Sequence, residues 1–493
     1  MGIVQRQGLR NTLISYLGLA LGFVNTTLLL PRFLAPSQLG LTQVLVSIAT
    51  IFAQLSAVGF ASMGIRFFPY FRDAENRHHG FLPLLLGLPL VGFAVVTALY
   101  VLGQPVILSL YSHDAGLLGP YYLWGIALAF FTLLYSLQDA YLKGLYHTAF
   151  SSFLQEILLR ILIAGAAFLF GTGYLTFHQF VLAYIGVNSL ITLLLTGYLA
   201  YIGELHLRPT RAVFRVRPVR ELVNFGAFAL LSNISGTVIM TVDSLMLGSK
   251  INLAAAGVYA IAINISTALT IPWRALSKIA FPLLAEYWKE NDQSRMADFY
   301  RNTTRLLTTL GCWLALGISL NLDFIYHLIH RPEYAIGTTA VLLLLMGRLF
   351  DSITGVNGLI VVTSPRYRYD LIFNISLALV TVGLNLLLIP ALGLTGAALA
   401  ALLSLTSINV ARTWFVWYSY RMQPFTWRIP LIVFLAAIAG VCGWLMPDLG
   451  TPFLTMLLRS GVLTVVYVGL LLLTNSAPEA LPFLQKIGTR FKT

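Results

Sequence analysis

Long apolar runs constrain the fold of this chain more than any other feature of its sequence. The run from residue 81 to residue 102 contains no charged residue, and similar runs recur along most of the 493 residues. A helix needs about 20 such residues to cross a bilayer. Only 10% of the residues are charged, which is too few for a water-soluble protein of this length. Because the runs do not alternate between apolar and polar residues, as the strands of a membrane barrel do, we predict an all-α polytopic membrane protein.

Fourteen candidate transmembrane helices follow from these runs. They lie at residues 11–31, 38–60, 81–102, 120–141, 152–171, 179–202, 224–247, 255–280, 303–322, 338–361, 369–390, 394–418, 429–446 and 453–474. We expect two six-helix lobes, a linker and two further helices. These parts are residues 1–202 for the N-terminal lobe with helices 1–6, 203–223 for a basic cytoplasmic linker, 224–420 for the C-terminal lobe with helices 7–12, and 421–493 for helices 13 and 14 with a cytoplasmic tail.

The distribution of positive charge tests this span count. When the N-terminus is placed in the cytoplasm, 25 of the 31 lysine and arginine residues fall in inner segments and 3 in outer loops. A missed helix would invert every later loop and destroy this asymmetry, so we predict that both termini are cytoplasmic. We attribute the net charge of +13 to membrane topology and not to nucleic-acid binding. Five of the inner arginines lie in the linker: Arg208, Arg211, Arg215, Arg217 and Arg220.

The sequence disfavours several other classes of protein. Cys312 and Cys442 both lie in apolar runs, which gives no indication of a disulfide framework. No phosphate-binding loop of an ATPase is present, and the predicted outer loops are too short to hold a catalytic domain. The first apolar run ends at Pro31 and Arg32 without a small-residue cleavage site, so we interpret it as an uncleaved span. We therefore expect no enzymatic activity, no cofactor and no metal.

A faint internal repeat connects the two predicted lobes. Residues 28–44 align without gaps with residues 245–261, and the matching residues are Leu28, Leu30 and Gly40 with Leu245, Leu247 and Gly257. In each lobe we expect the second helix to end at a Phe-Pro pair, which contains Pro69 in one lobe and Pro282 in the other. Transporters built from two repeats hold their substrate between the repeats.

Polar residues spaced by three or four along several predicted helices indicate a face that avoids lipid. On the first helix this face carries Asn11, Ser15, Gly18, Gly22 and Asn25. A helix that lines a water-filled cavity has such a face, but glycine, serine and threonine also occur where two helices pack closely. Both interpretations stay open for those small residues. The residues predicted as polar lining of a cavity are Asn25, Gln43, Gln54, Asn233, Thr237 and Asn264.

Basic residues predominate among the charges on the predicted cavity helices. Arginine forms bidentate hydrogen bonds with phosphate, so such a cavity favours an anionic, phosphorylated substrate that enters from the cytoplasm. The predicted substrate-binding cations are Arg66, Arg160, Arg274, Lys278 and Arg348. The carboxylates predicted to couple transport to an ion are Glu156, Asp243 and Asp351.

Structural roles compete with these functional ones. The pairs Glu156–Arg160 and Arg348–Asp351 are spaced by four and three residues, so each pair can neutralise itself within its own helix. The cations nearest the cytoplasmic ends of their helices could instead extend to lipid headgroups.

Asn385, Pro390 and Gly393, followed by Gly396 and two alanines, form a series that resembles the eleventh and twelfth helices of the polysaccharide biosynthesis, or oligosaccharide flippase, family. This family belongs to the multidrug/oligosaccharidyl-lipid/polysaccharide exporter superfamily. Pro390 and Gly393 are expected to form a tight outer turn. Two further segments carry the resemblance, namely Asp243-Ser-Leu-Met-Leu-Gly248 with Gly257-Val-Tyr259, and Pro31-Arg-Phe-Leu with Gly40.

The resemblance implies a V-shaped transporter that works by alternating access, with a central cavity lined mainly by helices 1, 2, 7 and 8. It implies an undecaprenyl-pyrophosphate-linked oligosaccharide as cargo, moved to the outer leaflet of a bacterial inner membrane for O-antigen lipopolysaccharide, capsule or exopolysaccharide assembly. Coupling to a proton or sodium gradient is a further expectation. The expected partners are the lipid bilayer, the lipid-linked oligosaccharide and polysaccharide polymerase or other assembly proteins, and the chain itself is expected to be a monomer.

Three alternatives stay open. A lipid II flippase of peptidoglycan synthesis is also expected to have fourteen helices. A multidrug antiporter of the same superfamily is expected to have twelve spans and a cavity rich in carboxylates. A membrane enzyme that polymerises or transfers glycans would need a long outer loop with catalytic residues, and the outer loop at residues 103–119 offers only His113 and Asp114.

Overall fold

The computed structural model describes residues 14–73, 75–210, 219–476 and 478. Within these ranges the regular elements are helices, and no β-strand occurs. Twelve of the described helices are long and apolar enough to cross a membrane. The fold is therefore that of an all-α, multi-pass membrane protein, as predicted from the apolar runs. Some predicted positions, including Asn11 and the linker residues Arg211, Arg215 and Arg217, lie outside the described residues.

The chain forms two compact units, residues 1–260 and residues 261–493. The predicted lobe and linker boundaries stay predictions. The principal helices of the first unit are α1 Ile14–Phe33, α2 Pro36–Ala57, α3 Phe60–Phe71, α4 Phe81–Leu102, α5 Trp124–Gly144, α6 Thr148–Gly171, α7 Phe177–Tyr201, α8 Val219–Lys250 and the first part of α9 Leu253–Thr267.

The second unit contains the remainder of α9 and eight further principal helices. They are α10 Ile271–Glu290, α11 Gln293–Ser319, α12 Leu322–Ile329, α13 Thr338–Thr354, α14 Asn357–Thr363, α15 Arg368–Tyr420, α16 Arg428–Trp444 and α17 Pro452–Thr474. The backbone at Gly393 has φ 57° and ψ −129°, which breaks α15 into two arms. Because α15 is one of the twelve long helices and α16 is a shorter apolar helix, the structure is compatible with the predicted fourteen spans.

Two helices continue past the proline at which the sequence predicted their end. Pro69 lies inside α3, which ends at Phe71, and Pro282 lies inside α10, which ends at Glu290. The prediction that each helix ends at its proline was therefore wrong. A proline removes one backbone hydrogen bond from a helix, and here the neighbouring turns keep the helix intact despite that loss. The chain breaks earlier instead, between α2 and α3, where two successive residues have the left-handed φ values of 47° and 73°.

The first residues of the predicted basic linker are held against the loop that precedes α4. The carboxylate of Glu204 lies 3.0 Å from Nε2 of His78 and accepts a hydrogen bond from the Tyr141 hydroxyl at 3.4 Å. The Thr210 hydroxyl donates to the backbone carbonyl of His79 at 2.7 Å. Since His78 is buried, these contacts fix the point at which the chain leaves α7.

The matching glycines of the internal repeat contact each other where α2 crosses α9. A Cβ added to Gly40 would overlap the carbonyl oxygen of Leu253 and lie 3.0 Å from the backbone nitrogen of Gly257. A Cβ added to Gly257 would overlap the carbonyl oxygen of Pro36 and lie 2.9 Å from the backbone nitrogen of Gly40. The gapless alignment pairs Pro36 with Leu253, so the two contacts are reciprocal. Only glycine allows the two backbones to approach this closely.

We predict that Gly40→Ala and Gly257→Ala each lower the free energy of unfolding by about 1–3 kcal/mol, because the added methyl group has no free space. Equilibrium unfolding of the purified protein in detergent measures this change. The control is Gly87→Ala on α4, where a Cβ meets no atom within 4 Å. There we expect unchanged or higher stability, since alanine favours a helix over glycine. Equal stability of all three variants would show that the crossing is looser than described.

Candidate functional site

Glu156 and Arg160 form the predicted ion pair one turn apart on α6. Nη2 of Arg160 lies 2.7 Å from Oε2 of Glu156. The facing side of α1 contributes two glycines. A Cβ on Gly18 would lie 2.6 Å from that of Glu156, and a Cβ on Gly22 would overlap the Arg160 guanidinium. The small residues of the predicted polar stripe on the first helix therefore make room for this ion pair, which is a packing role.

Polar atoms next to this ion pair retain unused hydrogen-bonding capacity. Asn25 is buried, and its Nδ2 donates to the backbone carbonyl of Arg160 at 3.2 Å. Within the described part of the chain, Oδ1 of Asn25 and Nη1 of Arg160 are buried without a partner. Both helices contain a π-helical turn here, at Val24–Leu29 and at Leu154–Leu158, and such turns are frequent at functional sites. We therefore regard the surroundings of Arg160 as a candidate site in the first unit.

Three more of the predicted residues lie on α3 and α8. Arg66 is exposed, and its guanidinium carbon lies 4.5 Å from the centre of the Phe225 ring, close enough for a cation–π interaction. Asn233 donates through Nδ2 to the Ser62 hydroxyl at 3.0 Å. The Thr237 hydroxyl donates to the backbone carbonyl of Asn233 within its own helix at 2.9 Å. No carboxylate in the described ranges pairs with Arg66, and its role as a substrate-binding cation stays a prediction.

Asp243 is buried, and its carboxylate has a hydrogen-bond donor on the next helix. The hydroxyl of Tyr259 on α9 donates to Oδ2 of Asp243 on α8 at 2.8 Å, and Tyr259 is itself fully buried. Burial of a carboxylate among apolar helices is costly unless donors surround it. This tyrosine therefore stabilises Asp243 at its position inside the first unit.

Hydroxyl groups at the end of α9 hold Arg348 within the second unit. Nε of Arg348 donates to the Ser266 hydroxyl at 3.0 Å, and Nη2 donates to the Thr267 hydroxyl at 3.2 Å. Thr267 also satisfies its own hydroxyl by donating to the backbone of α9 at 2.7 Å. These contacts connect α13 to α9 through a basic residue inside a candidate membrane span.

A buried amide network surrounds Asp351, and sequence reasoning missed most of it. Asn409 donates through Nδ2 to the Asp351 carboxylate at 2.8 Å. Oδ1 of Asn409 accepts from the Thr354 hydroxyl and from Nδ2 of Asn357, each at 3.0 Å. Nδ2 of Asn357 also donates to the Thr413 hydroxyl at 3.1 Å. The network joins α13, α14 and the second arm of α15, and it gives Asp351 a structural partner.

Arg412 lies inside α15, within the predicted span at residues 394–418. Its Nη2 donates to Asp370 at 3.1 Å and to Oδ1 of Asn374 at 2.9 Å. Asp370 and Asn374 lie on the first arm of α15 and Arg412 on the second, so the ion pair connects the two arms on either side of Gly393. Two sequence features could have indicated this ion pair. Asp370 and Asn374 are spaced by four residues, and Arg412 lies inside a predicted span.

The other predicted residues occupy exposed or half-buried helix positions. Arg274 and Lys278 are exposed one turn apart on α10. Gln43 and Gln54 on α2 and Asn264 on α9 are half-buried. Among the residues that the structure describes, none forms a hydrogen bond with the side chains of Gln43, Gln54 or Asn264. Their assignment to a polar cavity lining stays a prediction.

The architecture is similar to that of several solved membrane transporters. A lipid II flippase MurJ in an inward closed conformation matches with a TM-score of 0.74 and 12% identity, covering 97% of this chain and 99% of that one. A multidrug resistance MATE family transporter of the MOP superfamily, inward-facing, matches with a TM-score of 0.61 and 16% identity over 83% and 94% of the two chains. A MOP superfamily transporter from Pyrococcus furiosus matches with a TM-score of 0.55 and 15% identity over 84% and 94%. The fold is therefore that of MOP-type flippases and transporters.

A comparison of the sequence with family models identifies the family to which this chain belongs. The family model for polysaccharide biosynthesis proteins matches residues 5–288, which is more than half of the chain. The chain belongs to this polysaccharide biosynthesis protein family, as the sequence motifs predicted. No curated protein matches the sequence. The family and the fold are those of multi-pass membrane transporters and flippases.

We predict that Glu156 and Arg160 stabilise the protein jointly. Glu156→Gln or Arg160→Gln alone leaves one charge without its partner against α1, whereas the double variant removes both charges. A double-mutant cycle on the free energy of unfolding is expected to give a coupling energy of about 1–3 kcal/mol. The matched control is the cycle for Asp298 and Arg301, an exposed pair on α11, where we expect under about 0.5 kcal/mol. A coupling energy near zero for Glu156 and Arg160 would contradict the pairing.

We predict that Asn409→Leu lowers the free energy of unfolding by about 2 kcal/mol, because it leaves Asp351 and Asn357 with unsatisfied polar atoms. The same unfolding measurement applies. Ser407→Ala on the same arm is the control, since the Ser407 hydroxyl donates to the carbonyl of Ser404 within its own helix. If the two variants unfold alike, the amide network contributes nothing to stability.

Proposed function

We propose that this protein is a flippase that moves a lipid-linked oligosaccharide, carried on undecaprenyl pyrophosphate, from the cytoplasmic to the outer leaflet by alternating access. The match of residues 5–288 to polysaccharide biosynthesis proteins carries this proposal. The product would serve O-antigen, capsule or exopolysaccharide assembly. The protein would lie in a bacterial inner membrane with both termini in the cytoplasm, and it would supply a polysaccharide polymerase.

The exposed basic residues support an anionic cargo. Arg66 and Arg274 are exposed, and no carboxylate of the described residues pairs with either of them. An arginine can bind the two phosphates of a pyrophosphate through charge-assisted, bidentate hydrogen bonds. Lys278 follows Arg274 by one turn of α10, so the two basic side chains share one helix face. Among the predicted cations, these residues are best placed to contact the pyrophosphate.

The paired charges are proposed to act differently. Arg160 has Glu156 as its partner, and Arg348 is held by two hydroxyls. Both side chains are therefore fixed in place, and they are proposed to attract the anionic cargo through their electrostatic field and not by direct contact. The Tyr259 hydroxyl donates to Asp243, and this buried carboxylate is proposed to exchange a proton or bind sodium where transport is coupled to a gradient. Glu156 pairs with Arg160 and Asp351 accepts a hydrogen bond from Asn409, and both are proposed as coupling carboxylates alongside Asp243.

Two other activities fit the same fold, and deletion of the gene in its host distinguishes them. We expect a lipid-linked precursor of a surface polysaccharide to accumulate on the cytoplasmic side of the membrane, with peptidoglycan precursors unchanged. Accumulation of lipid II would instead identify a cell-wall flippase. Increased drug sensitivity without any accumulated glycolipid would identify a multidrug antiporter.

We predict that Arg274→Gln reduces the initial rate of translocation about tenfold, because one charge-assisted contact with phosphate is lost. The rate is measured in proteoliposomes that contain labelled lipid-linked oligosaccharide. It is the rate at which the labelled oligosaccharide becomes accessible to a glycosidase that cannot cross the membrane. Arg295→Gln is the matched control, since Arg295 is an exposed arginine near the start of α11 that pairs with Glu290 and Asp292. Equal rates for the two variants would exclude Arg274 from cargo binding.

A further inference from the structure

The second unit has an apolar groove of about 240 Å³ between α13 and the last turns of α15. Val410, Trp414 and Trp417 line it from the second arm of α15, and Phe425 lines it from the loop before α16. The three residues of α15 follow each other at steps of four and three, so they share one face of the helix. The groove lies on predicted helices 10 and 12, whereas the predicted central cavity is expected between helices 1, 2, 7 and 8.

The walls of this groove are aromatic and exposed. Trp414 is 59% exposed, Trp417 is 45% exposed and Phe425 is 47% exposed. The Trp414 ring stacks on the ring of Tyr418 one turn later, with 5.5 Å between the ring centres. Exposed tryptophan and tyrosine side chains are typical of the level at which the hydrocarbon core of a bilayer meets the headgroups. We therefore expect the groove to open towards lipid at that level.

Basic residues lie where α15 ends beside the groove. Nη1 of Arg366, in the loop before α15, donates to the Ser419 hydroxyl near the end of α15 at 3.0 Å. Arg421 directly follows α15 and is exposed. No carboxylate of the described residues forms an ion pair with either arginine. Four arginines and no acidic residue occur in the segments 364–368 and 419–430, so this end of the groove has a local excess of positive charge.

Arg421 has a backbone conformation that arginine rarely adopts. Its φ of 57° and ψ of 24° are left-handed, and glycine is the usual residue at this position after a helix. The backbone nitrogen of Arg421 donates to the Trp417 carbonyl at 2.9 Å, which fixes the turn. Gln423, two residues later, lines the groove. The chain therefore carries a cation beside the groove at a position where glycine would cause less backbone strain.

An amphiphile with an acyl chain and an anionic headgroup fits this combination. A hydrocarbon chain gains dispersion contacts along the aromatic walls, and arginine binds a phosphate through charge-assisted hydrogen bonds. The volume is below the range of about 300–1,000 Å³ for pockets that enclose a whole drug-sized ligand, which suits part of one acyl chain. In the predicted topology this end of α15 is cytoplasmic, and basic pockets on that side of a membrane bind anionic lipid headgroups.

We propose that this groove binds one anionic phospholipid of the surrounding bilayer. An acyl chain packs against Trp414 and Phe425, and the phosphate binds Arg366 and Arg421. The occupant is a phospholipid and not the lipid-linked cargo, because the groove lies on other helices than the predicted cargo cavity. The proposal does not rest on the proposed transport activity, since phospholipid binding is measured without cargo.

The groove also adjoins the buried amide network of the second unit. Thr354 and Thr413 line the groove. The Thr354 hydroxyl donates to Oδ1 of Asn409 at 3.0 Å, and the Thr413 hydroxyl accepts from Nδ2 of Asn357 at 3.1 Å. A lipid that binds only the folded groove stabilises the folded state by mass action. We therefore expect the bound phospholipid to raise the unfolding temperature of the protein.

The test is photo-crosslinking of the full-length protein in phosphatidylcholine liposomes. The probes are phosphatidylglycerol and phosphatidylcholine with the same diazirine-bearing acyl chain, and peptide mass spectrometry locates the crosslinks. We expect crosslinks within residues 410–425, about tenfold more for phosphatidylglycerol. Arg421→Gln and Arg366→Gln should each reduce this labelling about tenfold, whereas Arg421→Lys should retain most of it. Arg301→Gln is the control, since this arginine on α11 pairs with Asp298, and labelling should be unchanged.

Several results would overturn the proposal. Equal labelling of the groove by the two probes would show ordinary bilayer contact without selection by the arginines. Loss of the label on addition of equimolar undecaprenyl pyrophosphate, but not of equimolar unlabelled phosphatidylglycerol, would assign the groove to the cargo. Absence of label in a protein that is dimeric by light scattering would assign it to a second copy. Thermal unfolding with and without phosphatidylglycerol shows that each variant is folded, and if Arg421→Gln is unfolded, Arg366→Gln decides.

Discussion

A charge inside a membrane protein must be neutralised or solvated where it lies, because hydrocarbon offers neither partner nor water. The described helices meet this requirement in three ways. Arg160 has a carboxylate on its own helix. Arg412 has a carboxylate on the opposite arm of a broken helix, and Arg348 has two hydroxyls on a neighbouring helix. The second and third solutions fix a contact between helices or helix arms, so the cost of burying these charges also determines which segments adjoin.

Patterns local to one helix could be predicted from the sequence, and contacts between distant residues could not. The spacing of Glu156 and Arg160 was sufficient to predict their ion pair, because both partners lie on one helix. Asn409 and Asp351 lie on different helices, and nothing in their spacing indicates that they meet. The same limit applies to the ion pair of Arg412. Its partner Asp370 is 42 positions away, across the break at Gly393.

The faint internal repeat has a physical counterpart in the crossing of Gly40 and Gly257. The sequence contained both glycines at matching positions, but a match in apolar sequence is weak support for a shared structure. The structure adds that each glycine packs on the carbonyl group of the residue four positions before the other one. Reciprocal contacts of this kind are characteristic of elements related by an approximate two-fold axis. Both glycines belong to the first compact unit, so the repeat is not separated into one copy per unit.

The pair on α6 also bears on how the chain enters the membrane during synthesis. Since Glu156 and Arg160 face each other across one turn of the same helix, this segment can form its ion pair before any other helix is present. The insertion machinery therefore encounters a span with no net charge from these two residues, which lowers the penalty for leaving the aqueous channel. Arg412 and Asp370 lack this option, because the hairpin of α15 must close before they meet. Of these two helices, α6 can partition into lipid independently, whereas the arms of α15 are expected to enter as a unit.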